Sequence, residues 1–286
     1  MHLTNGIVDL DVAAEFGPRI VRYGFCGDAN LLADVPHLST PTPWGDWTPR
    51  GGHRLWVAPE NMPGSYAPDA APVAIDDAGP LAVVVRQDTD CSGVQKTIAV
   101  RLAADASTVF LDHTIANRTA WPIRVAPWAI TIVVPGTVAV PQPPFRPHPE
   151  ALLPEQTLVQ WAYTNLSDPR WTFGRELILL TPDAARQEPQ KIGIGGGAAW
   201  CALIRGGTVF MKRTRPDPAA EYPDRGSAIE IFTAGDYLEL ETLGPLQVLV
   251  PGATATHVEQ WDLFRGVDLG SSESSRAAVL RALART

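Results

Sequence analysis

Ile7-Val8-Asp9-Leu10-Asp11-Val12 runs through a Gly17-Pro18 turn into Arg19-Ile20-Val21-Arg22-Tyr23. Val8, Leu10 and Val12 alternate with Ile7, Asp9 and Asp11, the period of two that lets a strand bury one face. The two segments read as a hairpin, and the pattern recurs down the chain. It predicts further strands at 81–87, 94–103, 108–116, 123–134, 158–161, 176–180, 199–204, 208–213, 227–233, 237–243, 247–250 and 257–264. Gly79-Pro80, Asn117-Arg118-Thr119, Gly206-Gly207, Gly235-Asp236 and Pro251-Gly252 supply turns between them. Strands this close, with no amphipathic helix between them, predict an all-β antiparallel sandwich or barrel and disfavour a parallel β/α architecture.

The only helical signal is terminal. Ser271–Ser275 leads into 276–284, with Val279, Leu280 and Leu283 on one face. No internal repeat or boundary appears, so 1–286 reads as a single domain with a core of about 5–264 and a helical appendage at 265–286. Two proline-rich stretches, 36–72 and 135–157, read as irregular. Loops that long usually form a site, a lid or a linker. The first holds Trp44, Trp47 and Trp56, too aromatic for a linker.

Composition excludes several classes. Of 286 residues, 45% are hydrophobic and only 19% charged, which excludes a disordered chain or a coiled coil. A net charge of −8 argues against a nucleic-acid or anionic-membrane surface. No apolar run approaches a transmembrane helix. Met1–Gly6 lacks the basic segment and apolar core of a signal peptide, so the expected location is cytoplasmic, a leader removed beforehand being the alternative. Cys26, Cys91 and Cys201 are far apart and odd in number, suggesting neither a disulfide framework nor a zinc knuckle. No transition-metal spacing, phosphate loop or Gly-x-Ser-x-Gly elbow is present, and no cofactor is expected. A hard cation held by carboxylates would leave no regular spacing. Gly193–Gly197 reads as a flexible turn.

Chemistry concentrates in Gly51-Gly52-His53-Arg54-Leu55-Trp56-Val57-Ala58-Pro59-Glu60. Glycines permit close backbone approach, an indole offers a flat apolar face, and a guanidinium offers forked donors. The mixture of His53, Arg54, Trp56 and Glu60 suits a small-molecule carbohydrate. The alternative is structural, with Arg54 paired to Glu60, Trp56 in the core and His53 a satisfied donor. In Tyr237-Leu238-Glu239-Leu240-Glu241-Thr242-Leu243, alternation puts Tyr237, Glu239 and Glu241 on the face opposite the leucines, pointing to solvent or into a cleft. Lys212, Tyr222 and Asp224 form a third group that either lines a cleft or, through a Lys212–Glu230 pair, ties strands together. His113 shares a strand face with Leu111 and Ile115, the pattern of a packed core donor.

These residues resemble the galactose mutarotase-like (aldose 1-epimerase-like) superfamily, and within it an uncharacterised bacterial branch. The signatures are Gly-Gly-His-Arg-Leu-Trp-x-Ala-Pro-Glu (51–60), Ala-Trp-Pro-Ile…Ala-Pro-Trp-Ala (120–129) and Leu-Glu-Thr-Leu-Gly-Pro (240–245). The resemblance covers about 5–264 and implies an antiparallel β-supersandwich with the short C-terminal helix. It implies Glu241 as the general base at the anomeric carbon, since Leu240-Glu241-Thr242 matches the family's Leu-Glu-Thr element. The family's acid is a histidine in an Asn-x-Thr-Asn-His-type strand, where this sequence offers Trp128. His53 is then the expected acid, with His113 behind it. Arg54, Trp56, Glu60, Glu239, Lys212, Tyr222, Asp224, His113 and Trp128 are the expected binding residues.

Three readings of function follow. The first is an aldose 1-epimerase-like enzyme using Glu241 and His53, or a glycoside hydrolase or lyase using paired carboxylates. The second is a non-catalytic sugar-binding protein that kept the cleft. The third is a structural protein whose Trp-rich loop plugs one face of the sandwich.

Overall fold

Val8–Val12 and Arg19–Phe25 pair as the expected hairpin, with Leu10 opposite Tyr23 and Val8, Leu10 and Val12 buried. The computed structural model describes residues 1–286. In it two ten-stranded antiparallel sheets pack face to face. Along the first sheet run His2–Thr4, Val8–Val12, Arg19–Phe25, His53–Ala58, Ile123–Val133, Tyr237–Leu243, Ile229–Ala234, Gln190–Ile194 and Leu158–Gln160, with Gln247–Leu249 alongside Ile123–Val133. The second sheet is centred on Trp200–Arg205, Thr208–Arg213, Thr254–Phe264 and Val109–Asn117. This is the antiparallel supersandwich expected from the sequence.

The stretches 36–72 and 135–157 are not wholly irregular. Each contains a sheet strand, His53–Ala58 in the first and Thr137–Pro141 in the second. All six residues of His53–Ala58 are buried, so no polar alternation marks the strand. Gly52 lets it enter the sheet. With φ +68, a Cβ there would stand 2.2 Å from the Ile20 carbonyl oxygen. Gly193 likewise belongs to Gln190–Ile194 rather than to a turn.

The apolar core lies between the sheets. Tyr23 from the first packs on Phe210 and Trp261 from the second, with ring centroids 5.4 Å apart in both pairs. The helix Glu273–Leu283, capped by Ser272, buries Ala277 and Leu280 against Trp200 and Met211 on the outer face of the second sheet. Val279 and Leu283 are only half-buried. No helix is long and apolar enough to cross a membrane.

A polar network crosses this core. Lys212, sealed from solvent, donates to Ala129 O (2.9 Å), Thr131 Oγ1 (2.9 Å) and Leu240 O (3.0 Å) of the facing sheet. Its ion-pair partner is Glu259 at 3.0 Å, on the neighbouring strand. The expected Lys212–Glu230 pair does not form, because Lys212 points between the sheets and Glu230 faces away from them, toward Lys191. Thr242 donates to Glu259 Oε1, and Trp261 Nε1 donates to Oε2 at 2.9 Å. Removing one partner leaves the other charge buried and alone. Lys212→Met should therefore cost about 3–5 kcal/mol in urea unfolding. Lys212→Met/Glu259→Gln should lose less than the sum of its single variants, and additivity would show that the pair is not coupled.

Candidate functional site

Strand parity divides the predicted residues between two faces. In His53–Ala58, His53, Leu55 and Val57 point between the sheets, while Arg54 and Trp56 point to the outer, concave face of the first sheet. In Tyr237–Leu243, Leu238, Leu240 and Thr242 point inward, and Tyr237, Glu239 and Glu241 point outward. A cleft of about 450 Å³ opens on that outer face.

Aromatic rings and ion pairs build it together. Arg54 lies over Trp56 at 4.9 Å and Trp47 at 5.5 Å, and its Nη2 meets Glu239 Oε1 at 3.3 Å. Its Nε and Nη1, and the Trp47 indole N–H, are buried without a partner. Lys191 lies 4.5 Å from the Trp128 ring and 4.9 Å from the Trp161 ring. It holds Glu241 Oε2 at 2.9 Å and stands 2.8 Å from Glu230 Oε2. The Glu230 approach is a charge contact, since neither Glu230 oxygen has an aligned donor. Burial alone would depress Lys191, but Glu230 and Glu241 hold it well above its ordinary value. Burial, with Glu241 and Asp224 adding to it, pushes Glu230 well above the carboxylate range despite Lys191. Glu239 is raised by burial and by Glu241, against Arg54.

The predicted residues thus separate. Arg54, Trp56, Glu60, Trp128 and Glu239 line the cleft, with Glu60 accepting a hydrogen bond from the Tyr66 hydroxyl. Glu241 lies behind them. It is fully buried, and its Oε2 is held by Trp128 Nε1 at 2.8 Å and by Lys191. Asp224 adjoins Glu230, its own carboxyl raised by burial. Tyr222 lines a different cavity on the other sheet.

His53 and Glu241 do not meet. His53 projects from the opposite face, so the expected acid–base pair is not assembled. Its Nδ1 contacts Thr131 Oγ1 at 2.9 Å and its Nε2 contacts His113 Nε2 at 2.7 Å. His113 Nδ1 donates to His257 O at 3.1 Å, so His113 Nε2 must accept from His53. His113 and Lys212 are likewise interior groups rather than cleft residues. Ligand atoms of His53, His113 and Glu259 lie within 4.8 Å of one another, near enough to hold a metal ion. Each is already committed to a hydrogen bond, and the Lys212 ammonium supplies the local positive charge.

Sequence reasoning missed Lys191, Trp161, Tyr163 and Phe232, which complete the cleft. A signal existed in Gln190-Lys191-Ile192-Gly193-Ile194. Ile192 and Ile194 are core residues, which sends Lys191 to the other face. The Trp-rich stretch is no simple plug, since Trp44 is 38% exposed and a cleft is present.

No protein-family profile matches the chain, and no curated protein does. Solved structures do match. A galactose mutarotase-like protein from Lactobacillus casei superposes with TM-score 0.58 and 9% identity over 92% of this chain and 99% of its own. A candidate aldose 1-epimerase from Escherichia coli K12 gives 0.57 and 15% over 92% and 98%. A galactose mutarotase related enzyme from Lactobacillus acidophilus gives 0.55 and 8% over 94% and 98%. The chain has the galactose mutarotase-like fold.

Two predictions follow from this electrostatic arrangement. Burial lowers His53 well below its usual value and lowers His113, and it takes His257 down to about 3. Each is protonated in the unfolded chain below about 6.5 and takes its proton at lower pH when folded. Their contribution to stability is full above that pH and declines as pH falls, for His257 until about 3. The ring signals of His53 and His257 in NMR should stay in the neutral position at pH 5.5, and titration of any of the three near 6.5 would contradict the buried network. Second, Lys191→Met should cost about 3–5 kcal/mol at pH 7 by stranding Glu230 and Glu241. A carboxyl raised by folding contributes fully below its unfolded value and loses that contribution as pH climbs toward its folded value, so the deficit against wild type should shrink as pH falls from 7 to 4.5. A pH-independent deficit in urea unfolding would assign the loss to packing.

Proposed function

We propose that the cleft binds a carbohydrate and that this galactose mutarotase-like fold serves here as a sugar-binding protein. The observation that carries the reading is Arg54, stacked on two indoles at the cleft and joined to Glu239, with two guanidinium nitrogens uncommitted. A sugar ring presents C–H patches that suit the faces of Trp161 and Tyr163 and hydroxyls that suit Arg54, Glu239 and Glu60. The absence of any histidine from the cleft lining, and the burial of Glu241 behind Trp128 and Lys191, favour binding over mutarotation.

A second reading keeps anomeric chemistry in the same cleft, with Glu239 as base in place of Glu241. Glu239 lines the cleft, and its carboxyl is raised by burial toward the range in which a general base works near neutral pH.

Saturation-transfer NMR on a panel of free aldoses, with α/β anomer exchange followed in the same samples, separates the two. Binding without faster exchange, weakened roughly tenfold (about 1.4 kcal/mol) in Trp161→Ala, is the expected result. Faster exchange that Glu239→Gln abolishes would replace it with the second reading. No binding of any aldose would remove the carbohydrate reading for that panel.

A further inference from the structure

The stretch around Lys212, Tyr222 and Asp224, read from sequence either as a cleft lining or as an interstrand tie, borders a second cavity over much of its length. Thr208–Arg213 leaves the second sheet at Thr214, and the chain bows away as far as Tyr222. The gap is a cavity of about 730 Å³, on a different sheet from the aromatic cleft. Phe110, Trp200 and Pro245 give it apolar walls.

Its polar groups are unspent. Arg215 and Arg285 line it, and neither guanidinium has a hydrogen-bond or ion-pair partner among the contacts of the chain. Arg213 pairs with Asp262, but its Nε is buried without an acceptor. Tyr222 accepts a hydrogen bond from Asp217 N at 2.8 Å, while its own O–H has no acceptor within the protein. The acidic side chains of the lining are Asp217 and Glu259, and Glu259 is compensated by Lys212. In a chain with net charge −8, this pocket has an excess of donors and positive charge.

His257, 6% exposed, adds a single acceptor. Thr242 gives its proton to Glu259 Oε1, so its lone pair receives His257 Nε2–H at 2.7 Å. That assignment leaves the Nδ1 lone pair free, with no partner in the protein and no seal from solvent. The guanidiniums offer only donors, His257 offers an acceptor and the walls are apolar, so a ligand matched to this lining has three parts. It needs an anionic group for the arginines, a hydroxyl donor for His257 and an apolar body for Trp200 and Phe110.

We propose that this cavity is a second binding site, independent of the carbohydrate reading, for a hydroxylated organic carboxylate. Arg215 and Arg285 take the carboxylate in forked hydrogen bonds, and His257 accepts from the hydroxyl.

Isothermal titration with mandelate, which carries a carboxylate, an adjacent hydroxyl and a phenyl ring, tests this on the full chain. Phenylacetate lacks the hydroxyl and mandelamide lacks the charge, and each should bind about tenfold more weakly. Arg215→Gln/Arg285→Gln should weaken mandelate at least tenfold with no change in the unfolding midpoint, because both side chains are exposed and unpaired. Trp161→Ala, in the other cleft, should leave mandelate binding intact. Failure of mandelate to bind, equal binding of mandelamide, or indifference to the double arginine variant would each overturn the proposal. Loss of binding in Trp161→Ala would place the ligand in the aromatic cleft instead, and would also overturn it.

Discussion

The Lys212 ammonium is the contact on which the sandwich is registered. It rises from the second sheet and takes two backbone carbonyls, Ala129 O and Leu240 O, and a hydroxyl, Thr131 Oγ1, from the first. An ammonium in a sealed interior is tolerable only with acceptors on every proton and a countercharge. Glu259 provides the countercharge, and it is itself fixed by Thr242 and Trp261. Sliding either sheet by one residue would strip Lys212 of these partners. An apolar contact would tolerate such a slip far better, because dispersion has little direction.

The same contact positions the cleft. The carbonyls that hold Lys212 belong to the two adjacent strands Ile123–Val133 and Tyr237–Leu243, whose alternate residues include Trp128, Ile130, Glu239 and Glu241. Fixing those backbones on the core side fixes the indole and the carboxylates on the other. Trp128 Nε1 then reaches Glu241, and Glu239 reaches Arg54 on the next strand but one. Buried ion pairs contribute little net stability, but they penalise every arrangement in which they are not made. The cleft is therefore rigid for the same reason the sandwich is.

Legibility in the sequence followed exposure. Val94–Leu102 alternates buried and partly exposed residues almost without fault, and the expected strand matched to within a residue. His53–Ala58 is buried on both faces and carries no polar alternation, so the period-two signal vanishes at the strand where the site is built. Parity still assigned Glu239 and Glu241 to one face, because Leu238 and Leu240 declared the other. What parity within a strand cannot reveal is depth. Glu239 reaches the cleft and Glu241 does not, because Trp128 and Lys191, distant in sequence, close over the second carboxylate. His53 was misassigned for a related reason. Adjacent to Arg54 in sequence, it is on the other side of the sheet in space, and only knowledge that both are strand residues separates them.

Glycine, aromatic and charged residues clustered in 51–60 therefore serve two unlike tasks. Arg54 and Trp56 shape a cleft, while His53 closes an interior chain of hydrogen bonds that runs from Lys212 through Thr131 to His113. The strand Tyr237–Leu243 divides its labour in the same way. Glu239 faces the aromatic cleft, and Thr242 orients His257, whose free nitrogen belongs to the cavity on the opposite sheet. Thr242 can orient it only because Glu259 takes the hydroxyl proton, and Glu259 can do so as an anion only because Lys212 lies beside it. One buried ion pair thus sets the direction of the hydrogen bond that orients the histidine of that cavity. Replacing the pair with apolar residues of equal volume could preserve the packing, but it would leave the Thr242 hydroxyl free to turn and the histidine without a fixed tautomer.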